Sequence, residues 1–203
     1  MILVPPAGLR WRIPRSLDNA SPMPSLVPRS WPALFAATAA VSLAACSPTF
    51  NWRETPIADA GLVAMLPCKP DRADRALPLG AESVKVDMAG CEAGGATFAI
   101  AHASAGSPEQ AEAWLRAWRA ATRNQLANAQ VTEAPATMKR ATAAPPPVRL
   151  DAQPQQQGAA PIQVLWFAQS QKDGRVSLYQ ATVLGRPSAP EAAKTFFDGL
   201  RLP

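Results

Sequence analysis

Side chains able to do acid–base, nucleophilic or metal chemistry are scarce here: His102 is the only histidine, and Cys46, Cys68 and Cys91 are the only cysteines. His102-Ala103-Ser104-Ala105-Gly106 comes nearest to a nucleophile elbow, with His where the first Gly belongs. Two residues apart on a strand, His102 and Ser104 would project the same way about 6–7 Å apart, too far for direct proton handoff. Gly90, Gly94 and Gly95 lack the following Lys-Ser/Thr of a phosphate loop. One histidine and no C-x-x-C spacing leave a zinc site short of ligands, so neither metal nor cofactor is expected, and the chain reads as a non-enzyme. His102 itself is expected to be a partly buried strand residue titrating near neutral pH. Trp114, Trp118 and Trp166 remain as candidate ligand or partner contacts; core packing is the plainer account of them.

Cys46 gains meaning from what precedes it. Residues 33–45 read A-L-F-A-A-T-A-A-V-S-L-A-A, an uncharged apolar run behind Arg29. As a helix such a run spans about 20 Å, short of a ~30 Å hydrocarbon core, and it fits a secretory leader better than a spanning helix. Its end, Leu43-Ala44-Ala45-Cys46, resembles the lipobox of bacterial lipoproteins, in which the cysteine is lipidated and becomes the new N-terminus. The competing reading is cleavage at the small residues with Cys46 a bystander thiol. Residues 1–22 hold Pro5, Pro6, Pro14, Pro22 and Asp18 and are expected to be a disordered start-site extension, with Met23 a plausible start. Residues 23–45 are then the signal peptide and residues 46–203 the mature chain. Several acyl chains on Cys46 would hold it to a bilayer, each buried CH₂ contributing about 0.8 kcal/mol. Ser47 after the cysteine resembles an outer-membrane sorting signal, which would place the domain facing the periplasm.

Three cysteines are an odd number for an exported protein. With Cys46 lipidated, Cys68 and Cys91 remain, and an oxidising compartment favours a disulfide between them over two free thiols or a metal site.

The mature chain must position these groups. Phe50–Arg53 reads as a first strand, after a tether short enough to hold the domain against the membrane surface. Leu62–Leu66 is a short apolar strand stopped by Pro67, Val84–Met88 alternates at period two, and Thr97–Ala103 puts Phe98, Ile100 and His102 on one face, with residues 90–95 the intervening turn. Ser107-Pro108-Glu109-Gln110 opens a helix with a capping box, and Ala111, Trp114, Leu115, Trp118, Thr122 and Leu126 mark its apolar stripe. Arg116, Arg119 and Arg123 are expected to form a solvated stripe opposite. Residues 134–161 are Pro- and Gln-rich and read as a surface excursion around a short strand at Val148–Leu150. Ile162–Gln169 and Arg175–Leu184 form a hairpin around Asp173-Gly174, and a last helix capped near Ser188 carries Ala192, Ala193, Phe196 and Phe197 up to Gly199.

That order of elements is α+β: a mainly antiparallel sheet packed by an amphipathic central helix and a C-terminal helix. The L-P-C-K-P strand end, the central helix, the long last hairpin and the F-F-D-G-L-R segment together resemble the α/β/α sandwich of PsbP-type extrinsic proteins, and uncharacterised bacterial envelope lipoproteins of similar length. The resemblance spans roughly Phe50 to Leu202 and implies a fold rather than a chemistry.

With 203 residues, 48% of them hydrophobic and 17% charged, the chain has material for one domain and a leader. Its net charge of +5 suggests nucleic acid only until it is located. Arg10, Arg12, Arg15 and Arg29 against Asp18 put most of the excess in residues 1–45, so no nucleic-acid partner is expected. The expectation is a lipid-anchored envelope protein with a non-catalytic binding or assembly role, touching the membrane through acylated Cys46 and, in the envelope, a protein partner. The alternative is a lipoprotein that takes a small ligand between helix and sheet, against Trp114, Trp118 and Trp166.

Overall fold

The computed structural model describes residues 48–156 and 158–203, so the leader, the start-site extension and Cys46 lie outside the described residues. Seven antiparallel strands form the main sheet, in the order β3-β4-β5-β9-β8-β7-β6. These are β3 (Asp71–Leu79), β4 (Glu82–Ala93), β5 (Ala96–Ala105), β6 (Ala129–Pro135), β7 (Val148–Pro154), β8 (Ile162–Ser170) and β9 (Val176–Gly185). A separate two-stranded ribbon pairs β1 (Arg53–Ile57) with β2 (Leu62–Leu66). Helices α1 (Pro108–Gln125) and α2 (Ala192–Asp198) complete the α+β fold. Among the described residues no helix is long and apolar enough to cross a membrane.

Because successive side chains alternate across a strand, the sheet has two apolar faces and needs a cover on each. One carries Val84, Val86, Ala101, Ala103, Val164, Trp166 and Leu178, all buried, and α1 packs across β3, β5 and β9. Ala101 and Ala103 let the helix come close, and Trp114, Leu115 and Trp118 of its apolar stripe fill the space. The opposite face carries Cys91, Phe98, Ile100, Phe167, Tyr179 and Val183, buried in one cluster with Ile57, Leu62 and Leu66 of the ribbon and with Phe196. Phe98 meets the Phe196 ring edge-on at 5.5 Å. Three ties hold the ribbon there. Cys68, just past β2, is disulfide-bonded to Cys91 of β4, with the Cα atoms 5.9 Å apart. Val63 and Arg201 exchange backbone hydrogen bonds of 2.9 and 2.8 Å, which draws the C-terminus onto β2. Gly199 packs so closely on Met65 that a Cβ there would lie 2.5 Å from the Met65 Cβ.

Helix α1 begins as its sequence requires. Ser107 Oγ accepts from the Gln110 backbone N–H at 3.2 Å, while Gln110 Oε1 accepts from the Gly106 N–H at 2.7 Å, one residue earlier than a standard capping box would have it. At α2 the expected Ser188 cap is not formed. The N-cap position is Glu191, which makes no side-chain capping bond, and the Ser188 N–H donates instead to Gly94 O at 2.7 Å.

Four further differences from the sequence reading concern strands. The first strand starts at Arg53, where the Phe50–Arg53 reading has it ending. Residues 90–93 continue β4, so the turn is confined to Gly94-Gly95, both at positive φ. β3 and β6 are edge strands that sequence patterning does not announce: β3 is mostly exposed, and β6 has no buried residue. Part of the Pro- and Gln-rich stretch is therefore sheet, since β7 extends the Val148–Leu150 strand to Pro154 and pairs with both β6 and β8.

Candidate functional site

His102 lies in the middle of β5, and its neighbours follow from register. Asp87 on β4 and Tyr179 on β9 are its direct cross-strand partners, and Phe167 on β8 is opposite Tyr179. Directly opposed residues share a face, so carboxylate, imidazole, phenol and phenyl form one row across four strands. The His102 and Tyr179 rings are 5.1 Å apart and those of Tyr179 and Phe167 5.0 Å. The next row toward the β8–β9 turn is polar, Ser104 opposite Ser177 and Ser177 opposite Gln169. Gln171 Nε2 donates to Ser177 Oγ at 3.0 Å.

The ribbon covers the apolar part of this face and stops short of the polar part. What it leaves open is a groove of about 560 Å³, bordered among others by Asp59, Arg72, Asp74, Lys85, Asp87 and His102. Ser104, Gln171, Arg175 and Ser177 complete its polar lining. A second cavity of about 360 Å³ shares Lys85, Asp87, His102 and Ser104 with the first and adds Glu82 and Trp114. The sheet forks at this point. β4 pairs with β5 only as far as Asp87 opposite His102, while its earlier residues pair with β3 alone. Trp114 borders the fork and its indole N–H donates to Glu82 at 3.0 Å; Gln110 Nε2 donates to the same carboxylate.

His102 is 6% exposed, and neither ring nitrogen has a hydrogen-bond partner among the described residues. Asp87 Oδ2 stands 3.8 Å from Nδ1, near enough for attraction and beyond hydrogen-bond reach. Burial lowers the His102 pKa below its ordinary value, outweighing the pull of Asp87 and Asp59 in the other direction. The imidazole is therefore neutral near pH 7, and its position is more buried than the sequence suggests. Burial likewise pushes Tyr179 up to about 12, against hydrogen bonding to Ser177 and the Leu62 backbone. Ser104 shares the face with His102 and makes no hydrogen bond to it, as strand spacing predicts.

The three tryptophans separate. Trp118 and Trp166 are fully buried, both indole N–H groups lacking a partner among the described residues, while Trp114 reaches the fork. Cys68 and Cys91 are joined. The arginine stripe of α1 is only partly a solvated one: Arg119 and Arg123 both clamp the Glu133 carboxylate of β6, their Nε groups at 2.9 and 2.7 Å. Among the described residues there is no group of three or more His, Cys, Asp or Glu side chains that could hold a metal ion.

The groove residues that sequence reasoning misses are Asp59, Arg72, Asp74, Lys85, Asp87, Gln171, Arg175 and Ser177. Arg72 and Asp74 belong to the unannounced edge strand and Lys85 and Asp87 to β4; the others flank turns. Residues Asp71–Ala76 read D-R-A-D-R-A, a period of three where a half-buried strand would show a period of two, so local patterning offers no signal for β3. Neither a comparison with protein-family models nor one with curated proteins finds a match for this chain.

Proposed function

We propose that this chain is an exported envelope lipoprotein, anchored by acyl chains on Cys46, and that it serves as a non-catalytic binding or assembly accessory. The observation that carries the reading is the Cys68–Cys91 disulfide, because it uses both cysteines of the folded domain and leaves Cys46, at the end of an apolar run, as the one still to be accounted for. Phe50 packs on Gly94 of the β4–β5 turn, where a Cβ would come within 2.3 Å of the ring. From that turn β5 runs toward Ser104 and the groove at about 3.3 Å per residue, which puts the groove on the order of 25 Å from the turn. The proposed address is the outer membrane, with the domain facing the periplasm.

The finer fold reading, a sandwich like that of PsbP-type extrinsic proteins, is supported by a helix on one sheet face and a ribbon with a short helix on the other, and it favours an assembly role. The small-ligand alternative, a pocket between helix and sheet, is supported by Trp114 alone of its three tryptophans, at the border of the 360 Å³ cavity in the fork, since Trp118 and Trp166 are fully buried. Membrane fractionation tests the anchor. The wild-type chain is expected in the membrane pellet after a high-salt wash, and Cys46→Ser in the soluble fraction; equal partition of the two would overturn the proposal.

A further inference from the structure

We infer that the groove over His102 is a binding site for a short peptide with both ends free, its amine on the Asp59–Asp87 side and its carboxylate on the Arg175 side. The inference deepens the binding-accessory reading and names the class of molecule captured.

The size of the site is suitable. About 560 Å³ lies within the range of small-molecule pockets. Its charge is balanced. Three carboxylates, Asp59, Asp74 and Asp87, face three cations, Arg72, Lys85 and Arg175, so no single sign dominates the field over the groove. Two of the cations are engaged within the fold, since Arg72 donates to Pro56 O at 2.8 Å and Lys85 is shared between Asp74 and Asp87 at 4.0 and 3.6 Å. Arg175 lies across β5 and β9 from these acids. Its Nε donates to Asp173 at 2.7 Å, and its terminal nitrogens have no partner among the described residues. Beside it, Ser104, Ser177 and Gln171 add neutral hydrogen-bonding groups.

His102 stands between the two halves. It is 6% exposed, borders both cavities and makes no hydrogen bond through either nitrogen. A buried polar group left unpaired is rare enough in a folded protein to require a reason, and a ligand spanning the row is a sufficient one. Lys85 already supplies a counter-charge to Asp74 and Asp87, which leaves the Asp59 carboxylate, with no ion pair among the described residues, and the terminal nitrogens of Arg175 as the opposite charges with capacity to spare; a neutral ligand would cover both, and a simple anion or cation would answer one. A molecule with an ammonium at one end and a carboxylate at the other answers both halves.

Trialanine is the test ligand, titrated calorimetrically into the detergent-solubilised full chain at pH 7 and low salt, with N-acetyl-trialanine and trialanine amide as end-blocked controls. One-to-one binding is expected, weakened about tenfold by blocking either end, as loss of a charge-assisted hydrogen bond would do. Arg175→Gln should weaken trialanine similarly and leave trialanine amide unchanged; Asp87→Asn should weaken trialanine and leave N-acetyl-trialanine unchanged. Arg175 is 60% and Asp87 47% exposed, so both variants should stay close to the wild-type melting temperature. Absence of heat at millimolar trialanine, equal binding of the blocked peptides, or binding of maltose alone would overturn the assignment. If trialanine fails while Cys46 in the same preparation is acylated, the groove assignment falls and the anchor stands; trialanine binding to a chain with unmodified Cys46 is the converse.

Discussion

Asp87 and His102 face each other across β4 and β5 with 3.8 Å between Oδ2 and Nδ1, and that gap leaves a buried imidazole without a hydrogen bond. Because burial lowers the folded-state pKa of His102 below 6.5, the unfolded chain binds the extra proton more readily between those two values. Stability contributed by the neutral ring is therefore complete above about pH 6.5 and declines as pH falls below it. Chemical denaturation from pH 8 to pH 5 should show this decline, and His102→Leu should reduce its slope in that window. An unchanged slope would mean that His102 does not titrate differently in the two states.

The Cys68–Cys91 bridge closes a loop with a sequence separation of 23 and ties the ribbon to the sheet. Cys68→Ser with Cys91→Ser should lower stability by about 3 kcal/mol in the chain-entropy account. The check is the denaturant midpoint of the oxidised wild-type against the double variant, with reduced wild-type expected to match the variant.

Glu133 accepts hydrogen bonds from both Arg119 and Arg123 and so fastens α1 to the edge strand β6. Partial burial pushes its pKa upward, but the two arginines outweigh that and hold it below its ordinary value. The clamp therefore stabilises above the ordinary glutamate range and is lost as pH falls through the lowered value. Glu133→Gln should cost about 1 kcal/mol at pH 7, discounted for the exposure of Arg123, and faster amide hydrogen exchange in β6 should accompany it.

Gly199 ends α2 without needing a positive φ, and its requirement is spatial. A methyl group there would collide with Met65, so Gly199→Ala should destabilise by about 1–3 kcal/mol. In a double-mutant cycle with Met65→Gly, which removes the clashing Cβ as well as the Cγ, the two losses should be less than additive, and full additivity would show that the two residues do not compete for the same space.

Elements with a strong apolar period were legible in the sequence. The α1 stripe, the Phe98-Ile100-His102 face and the Asp173-Gly174 hairpin all follow from spacing, because each has a buried side that the pattern must mark. β3 and β6 were not legible, because an edge strand with exposed side chains carries no such mark; in β3 the buried residues are confined to Leu77 and Leu79. The groove shares that difficulty. His102 and Ser104 stand out in the sequence, yet Asp87 meets His102 only through strand register, and Arg72 and Asp74 only through the pairing of β3 with β4. The disulfide could be inferred from cysteine parity, whereas the Glu133 clamp rests on a long-range contact that local spacing does not encode.

Intact mass of the protein purified from its native membrane tests the envelope reading most directly. The expected product begins at Cys46 and exceeds the mass of residues 46–203 by that of a diacylglyceryl group, alone or with a further acyl chain, and one disulfide is intact. A product with an unmodified Cys46, or one still carrying residues 23–45, would contradict it.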